Sequence, residues 1–93
     1  MRFLVLAAML LVPAAAARAE PPPGASSCSG CHALRPEVVT AVPGLTGRSA
    51  AELASQMQAF KSGQRPSTVM GRIAKGFSEA EAQAIAEWYA AVK

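Results

Sequence analysis

The run Cys28-Ser29-Gly30-Cys31-His32 constrains this chain more than any other part of it. C-x-x-C-H is the attachment signature of a c-type haem. Two thiols add across the two vinyl groups of haem and leave thioether bonds, and two intervening residues match the separation of those vinyls. A histidine directly after the second thiol then falls beneath the iron as its proximal ligand. The motif predicts that Cys28 and Cys31 hold haem covalently, that His32 is one axial ligand, and that the chain folds around the macrocycle.

Two other chemistries use a C-x-x-C pair. A structural zinc takes four ligands, usually from two such pairs, whereas Cys28 and Cys31 are the only cysteines here and His32 the only histidine. A thioredoxin-like dithiol sits in a βαβ pattern, and no segment reads as a strand of useful length. A Cys28–Cys31 disulfide closes a tiny loop and stabilises little. Haem c is the favoured reading, a dithiol or disulfide follows, and zinc comes last.

The first residues read as an export signal. Arg2 is a positive n-region, residues 3–12 form an apolar h-region too short to span a bilayer stably, and Ala17-Arg18-Ala19 gives an A-x-A cleavage site. The expected division is a signal peptide over 1–19 and a monohaem cytochrome c domain over 20–93, with no membrane span after cleavage and a periplasmic location. An uncleaved anchor is the competing reading. Export and the haem motif agree, because an unattached C-x-x-C oxidises outside the cytoplasm. The formal charge of +3 also shrinks with the leader. Of nine basic residues Arg2 and Arg18 are lost, leaving seven against six acidic ones, or +1. Two haem propionates lower it further, so nucleic-acid binding has no support. A chain of this size buries a thin core and needs a staple; haem supplies one, and the apo chain is expected to be largely disordered.

Along the mature chain, residues 20–24 are a Pro-rich lead-in. A short helix is expected to begin near Ala25 or Ser26 and carry the haem motif, with Pro36 opening a helical turn that runs to Thr40. Val42-Pro43-Gly44-Leu45-Thr46-Gly47 reads as loop. Ser49-Ala50-Ala51-Glu52 is a capping box. The helix after it places Leu53, Met57 and Phe60 on one face and stops at Gly63. Residues 64–76 read as mostly loop, with one turn around Met70 and Ala74. Ser78-Glu79-Ala80-Glu81 is a second capping box, stapled by Phe77, and opens a last helix from about Glu79 to Val92. Its buried stripe is Ala82, Ile85, Trp88 or Tyr89, and Val92. The expected architecture is all-α, about three main helices wrapped around one haem.

The sixth ligand decides whether such a haem carries electrons or reacts. With His32 used, Met57 and Met70 are the soft donors left after the leader. Met57 lies on an apolar helical stripe, where methionine is usually packing. Met70 lies in the Gly-bounded run Ser67-Thr68-Val69-Met70-Gly71 and is the favoured ligand, ahead of Met57 and of an open iron. A metal-bound histidine also donates its other N–H to a carbonyl or carboxylate. The Pro43 carbonyl is the candidate acceptor; otherwise Pro43 only shapes its turn.

The order C-x-x-C-H, V-P-G-L-T-G, a loop methionine and a helix with paired aromatics resembles the class I cytochrome c family over about residues 25–92. The resemblance implies that a proline carbonyl, here Pro43, accepts from the ligating histidine. It also implies that an aromatic of the last helix, here Trp88 or Tyr89, packs on the first. More finely, the run from Gly63 through Thr68-Val69-Met70-Gly71-Arg72-Ile73-Ala74-Lys75-Gly76-Phe77-Ser78 resembles the methionine loop of the cytochrome subunit of flavocytochrome c sulfide dehydrogenase. In that family the haem subunit takes electrons from an FAD-containing flavoprotein that oxidises sulfide. Some of its members carry two haem motifs where this chain has one.

The resemblance implies an electron-transfer subunit that accepts from a flavoprotein and passes electrons to a downstream acceptor; FAD belongs to the partner. The alternative is a free soluble monohaem cytochrome c shuttling between respiratory or photosynthetic complexes, steered by Arg65, Arg72 and Lys75. A ligand-reactive haem protein with an open sixth position is a third reading. No residue stands out as a catalytic nucleophile or base, since the one histidine is assigned to iron.

Overall fold

The computed structural model describes residues 20–92, all of them helical or irregular; the expected signal peptide over 1–19 lies outside them. Four helices follow in order: α1 (Ala25–Cys28), α2 (Ala50–Ser62), α3 (Met70–Ala74) and α4 (Glu79–Ala91). Two are long and two are short, so the expected three main helices resolve into a pair of 13-residue helices with two single-turn helices beside them.

Helix α1 does not carry the whole Cys28–His32 motif. It ends at Cys28, and serine explains why. The Ser27 hydroxyl donates to the Gly24 carbonyl at 2.6 Å and the Ser29 hydroxyl to the Ser26 carbonyl at 2.7 Å. Such side-chain bonds compete with the helical ladder, and Gly30 adds low helix propensity. The expected helical turn from Pro36 to Thr40 is also absent. One bond, Val38 N–H to the Arg35 carbonyl at 3.1 Å, closes a single turn. The β-branched run Val38-Val39-Thr40 does not propagate it.

The two long helices start where their sequences say. Ser78 and Glu81 form a reciprocal box: Glu81 N–H donates to Ser78 Oγ at 3.1 Å, and Ser78 N–H donates to Glu81 Oε1 at 2.9 Å. These bonds hold the exposed Glu81 carboxyl below its ordinary range. At α2 only half the box forms. Ser49 Oγ accepts from Glu52 N–H at 3.2 Å, while the Glu52 carboxylate turns to Arg48 at 3.7 Å and Gln56 at 3.3 Å. Gly63, at φ 81°, ends α2 in the left-handed region, where glycine pays no Cβ penalty.

Helix α2 packs against α4 and α3. The buried hydrophobic side chains among the described residues are Ala25, Leu53, Ala74, Ala82, Ile85, Ala86 and Tyr89. Four of these seven are alanines, so the chain's own core is thin. Of the two aromatics on α4, Tyr89 is the core residue. Its hydroxyl donates to the Ala25 carbonyl at 2.5 Å and ties the last helix to the first. Trp88 is half-buried and meets the Tyr89 ring edge-on, 4.9 Å between centroids. Gly24 completes this corner at φ 85°. The Phe77 ring fills the space a Cβ would need, with a ring carbon 2.5 Å from that position. Phe77 thus packs on the chain entering α1, a longer reach than a local helix staple.

Candidate functional site

One cavity of about 740 Å³ is cut into this fold. Its wall contains Cys28, Cys31 and His32 from the turn after α1 and Val42, Pro43 and Leu45 from the next loop. Leu53, Met57 and Phe60 come from α2, Met70 and Ile73 from α3, and Ile85 and Tyr89 from α4. The lining is mostly apolar, and the volume falls in the upper part of the range for ligand sites, roughly 300–1,000 Å³. This explains why the α2 stripe is only partly covered: Leu53 is buried, but Met57 and Phe60 are half-buried because they face the cavity instead of another helix.

The turn after α1 places its three functional side chains within one helical repeat. Cys31 N–H and His32 N–H both donate to the Cys28 carbonyl, at 3.2 and 2.8 Å. The cysteines, three residues apart, therefore share a face. Both thiols are free; Cys28 is half-buried and Cys31 exposed. Burial pushes the Cys28 thiol above its ordinary value, and the hydrogen bonds of its own backbone, Tyr89 and Ser27 oppose that rise. Burial likewise raises the Tyr89 phenol, with the neighbouring Cys28 adding to it.

His32 Nδ1 lies 2.6 Å from the Pro43 carbonyl oxygen. A carbonyl only accepts, so Nδ1 carries a proton and donates; in the neutral ring Nε2 then keeps its lone pair. The ring is thereby fixed in the tautomer that binds a metal through Nε2. Met70 is the first residue of α3, and its half-buried side chain lines the same cavity as His32. Gly71 N–H donates to Ser67 Oγ at 2.8 Å and shapes the turn ahead of it. Met57 lines the cavity too. Among the described residues, no group of three or more His, Cys, Asp or Glu side chains is arranged to hold a metal ion by itself.

Sequence reasoning named Arg65 only as a steering charge beside the Met70 loop and singled out neither Arg48 nor Gln56. Arg48, Gln56 and Arg65 line the cavity, and the two guanidinium groups are the only permanently charged groups in its lining. Arg48 flanks the start of α2 and Arg65 follows its end, outside the apolar periodicity that marked the site. The signal available was their position immediately beside the helix that forms the cavity floor.

No family model matches the chain. Curated relatives do. The chain is 40% identical over 63 residues to the cytochrome subunit of sulfide dehydrogenase of Chlorobaculum tepidum, covering 68% of this chain and 57% of the relative. It is 41% identical over 69 residues to the thiosulfate dehydrogenase electron acceptor of Stutzerimonas stutzeri, covering 70% of this chain and 32% of the relative. The corresponding protein of Thiomonas intermedia is 35% identical over 82 residues, 86% of this chain and 38% of its own length. The chain thus spans 57% of the first relative and about a third of the other two. Helical fold and relatives together support a small c-type cytochrome. More particularly, the chain resembles the cytochrome subunit of sulfide dehydrogenase.

A cytochrome carries haem, and the cavity suits that group. It has apolar walls for the macrocycle, two free thiols beside an imidazole whose Nε2 is available, a thioether on another wall, and arginines but no carboxylate in its lining. Among the described residues no helix is long and apolar enough to cross a membrane.

Proposed function

We propose that this protein is a periplasmic electron-transfer haem protein, exported by the segment over 1–19 and working as the cytochrome subunit of a flavocytochrome c sulfide dehydrogenase. Cys28 and Cys31 hold one haem c through thioethers. His32 Nε2 and the Met70 thioether would bind its iron. The single observation that carries the reading is the C-x-x-C-H turn opening onto the cavity with His32 Nδ1 locked on the Pro43 carbonyl at 2.6 Å.

The bound haem supplies a one-electron Fe(III)/Fe(II) couple. The residues of the chain prepare it for transfer with little rearrangement. Pro43 fixes the imidazole plane and raises its basicity. A thioether and an imidazole on the iron would raise its potential relative to two nitrogen ligands. Leu53, Met57, Phe60 and Ile85 exclude water from the macrocycle. The partner in this reading is an FAD-containing flavoprotein; FAD would supply two-electron chemistry with sulfide there, and this chain would accept the electrons and pass them to a downstream acceptor. The name of the C. tepidum relative supports the sulfide assignment.

The two relatives named as thiosulfate dehydrogenase electron acceptors favour a second reading, a free carrier that meets its dehydrogenase only transiently. Purification of the exported protein from its native host at low salt separates the two. A visible spectrum showing haem c bands with flavin in fixed ratio through the column is expected for the subunit. Haem c bands alone, low-spin in both oxidation states, support the carrier. Absence of haem c bands overturns both. Met70→Ala is expected to lose the low-spin methionine-ligated spectrum; an unchanged spectrum overturns the Met70 assignment.

A further inference from the structure

The two arginines of the cavity wall are held differently, and the difference gives one of them a task. Arg48 already has a counter-ion: its guanidinium lies 3.7 Å from the Glu52 carboxylate, which Gln56 Nε2 also contacts at 3.3 Å. Arg65 has no carboxylate partner among the described residues. Its guanidinium carbon lies 4.9 Å above the Phe60 ring, on the wall of the cavity. A ring face holds a cation in place without neutralising it. The cavity therefore presents one uncompensated positive charge, at its exposed rim, and the ligand proposed for it carries carboxylates.

The chain between Arg65 and Met70 is short and stiff. Arg65 N–H donates to the Ala59 carbonyl at 3.1 Å, which pins that end to α2. Pro66 has a fixed φ. Ser67 Oγ accepts from Gly71 N–H at 2.8 Å, which braces the turn around Met70. The backbone that carries the guanidinium is thus tied to the turn that carries the thioether.

We infer that Arg65 is a positioning residue: it pairs with a carboxylate of the bound porphyrin and so latches the 64–77 segment, keeping Met70 seated on the iron. The inference rests on the proposed haem ligation. Arg48, already paired with Glu52, has no such role.

Exogenous imidazole is the probe, because it reaches the iron only when Met70 leaves it. Its apparent affinity is the intrinsic affinity multiplied by the open fraction. In the oxidised holo-protein, Arg65→Gln is expected to bind imidazole about two- to fivefold more tightly than the wild type, the upper part of the range for an exposed charge pair. Arg65→Lys keeps the charge and is expected to recover most of the difference. Arg48→Gln is expected to match the wild type. The reduction potential of Arg65→Gln is expected to fall, since loss of a positive charge beside the haem favours Fe(III). Equal imidazole affinities for Arg65→Gln and wild type overturn the latch, as does an equal rise in Arg48→Gln, which marks a general charge effect. The failure of the proposed function looks different: a wild type that lacks haem, or binds imidazole without competition from Met70, removes the ligation itself.

Discussion

The cavity has two irregular walls, and they are built unlike each other. The His32 side, residues 29–47, contains no helix. Apart from local turns it is held by His32 on the Pro43 carbonyl, Thr46 Oγ1 on the Leu34 carbonyl at 3.5 Å and Gly47 N–H on the Tyr89 carbonyl at 3.2 Å. It exposes Leu34, Val38 and Val39, the last at 91%. The Met70 side, residues 64–77, is clamped to α2 at both ends. Arg65 N–H bonds the Ala59 carbonyl, and Lys61 Nζ donates to the Phe77 carbonyl at 2.6 Å. In the proposed ligation, the wall that would carry the attachment chemistry has the fewer ties to the long helices, and the wall that would carry the thioether is tied to α2 at both ends.

The strongest way to break this comparison is to withhold the cofactor. A Cys28→Ser, Cys31→Ser chain, which cannot anchor haem, is expected to lose most of its cooperative structure, since only Leu53, Ile85 and Tyr89 among its buried side chains are large. Whatever helix remains is expected in α2 and α4. The 64–77 segment, tied to α2 at Ala59 and Lys61, is expected to keep some protection with it, and amide hydrogen exchange checks this: protection over 29–47 equal to that over 64–77 would contradict the asymmetry.

Tyr89 is the next test, because it serves the His32 side from the opposite helix. In the holo-protein Tyr89→Ala is expected to cost roughly 3–5 kcal/mol, the range for emptying a large aromatic site. Tyr89→Phe, which keeps the ring and loses the hydroxyl's bonds to the Ala25 carbonyl and Cys28, is expected to cost about 1–2 kcal/mol. Denaturant titration measures both. A smaller effect follows on the Met70 side. Lys61→Met frees the Phe77 carbonyl and is expected to cost about 1–2 kcal/mol, with hydrogen exchange rising over 64–77 and not over 29–47.

The smallest effect concerns neither wall and serves as the control. Glu81 is held below its ordinary value of 4.5 by the Ser78 bonds. The folded state therefore prefers the carboxylate. Its contribution is fully present above the ordinary carboxylate range and is lost as pH falls through the lower, folded value. Glu81→Gln is expected to flatten this acid limb of the stability profile while leaving imidazole affinity unchanged; a persisting slope would assign the limb to other carboxylates.

How far the sequence reaches follows the same divide. The ends of α2 and α4 were legible because capping is local: Ser49, Gly63, Ser78 and Glu81 act within one turn. The site motif was legible because Cys28, Cys31 and His32 are neighbours in the chain, and Pro43 because a turn signal marked it. What the sequence hid is longer in range or weaker in preference. The choice of Tyr89 over Trp88 depends on which ring meets Ala25, 64 residues away. The early end of α1 depends on serine hydroxyls outcompeting the helical ladder. Arg65 belongs to no period at all; its place is set by where α2 ends and by the ring of Phe60.

His32 and Met70 stand 38 positions apart, on either side of the whole of α2. Joined through one iron in the proposed ligation, they convert the chain between them into a closed loop. Restricting the unfolded chain in this way acts as a disulfide of that span does, worth roughly 3–5 kcal/mol in the chain-entropy account. Unlike a disulfide, this cross-link opens and closes with the Met70 bond. Loss of the methionine would lift that restriction on the unfolded chain, so the strength of a single iron–sulfur contact would help set how often the protein becomes visible to a protease.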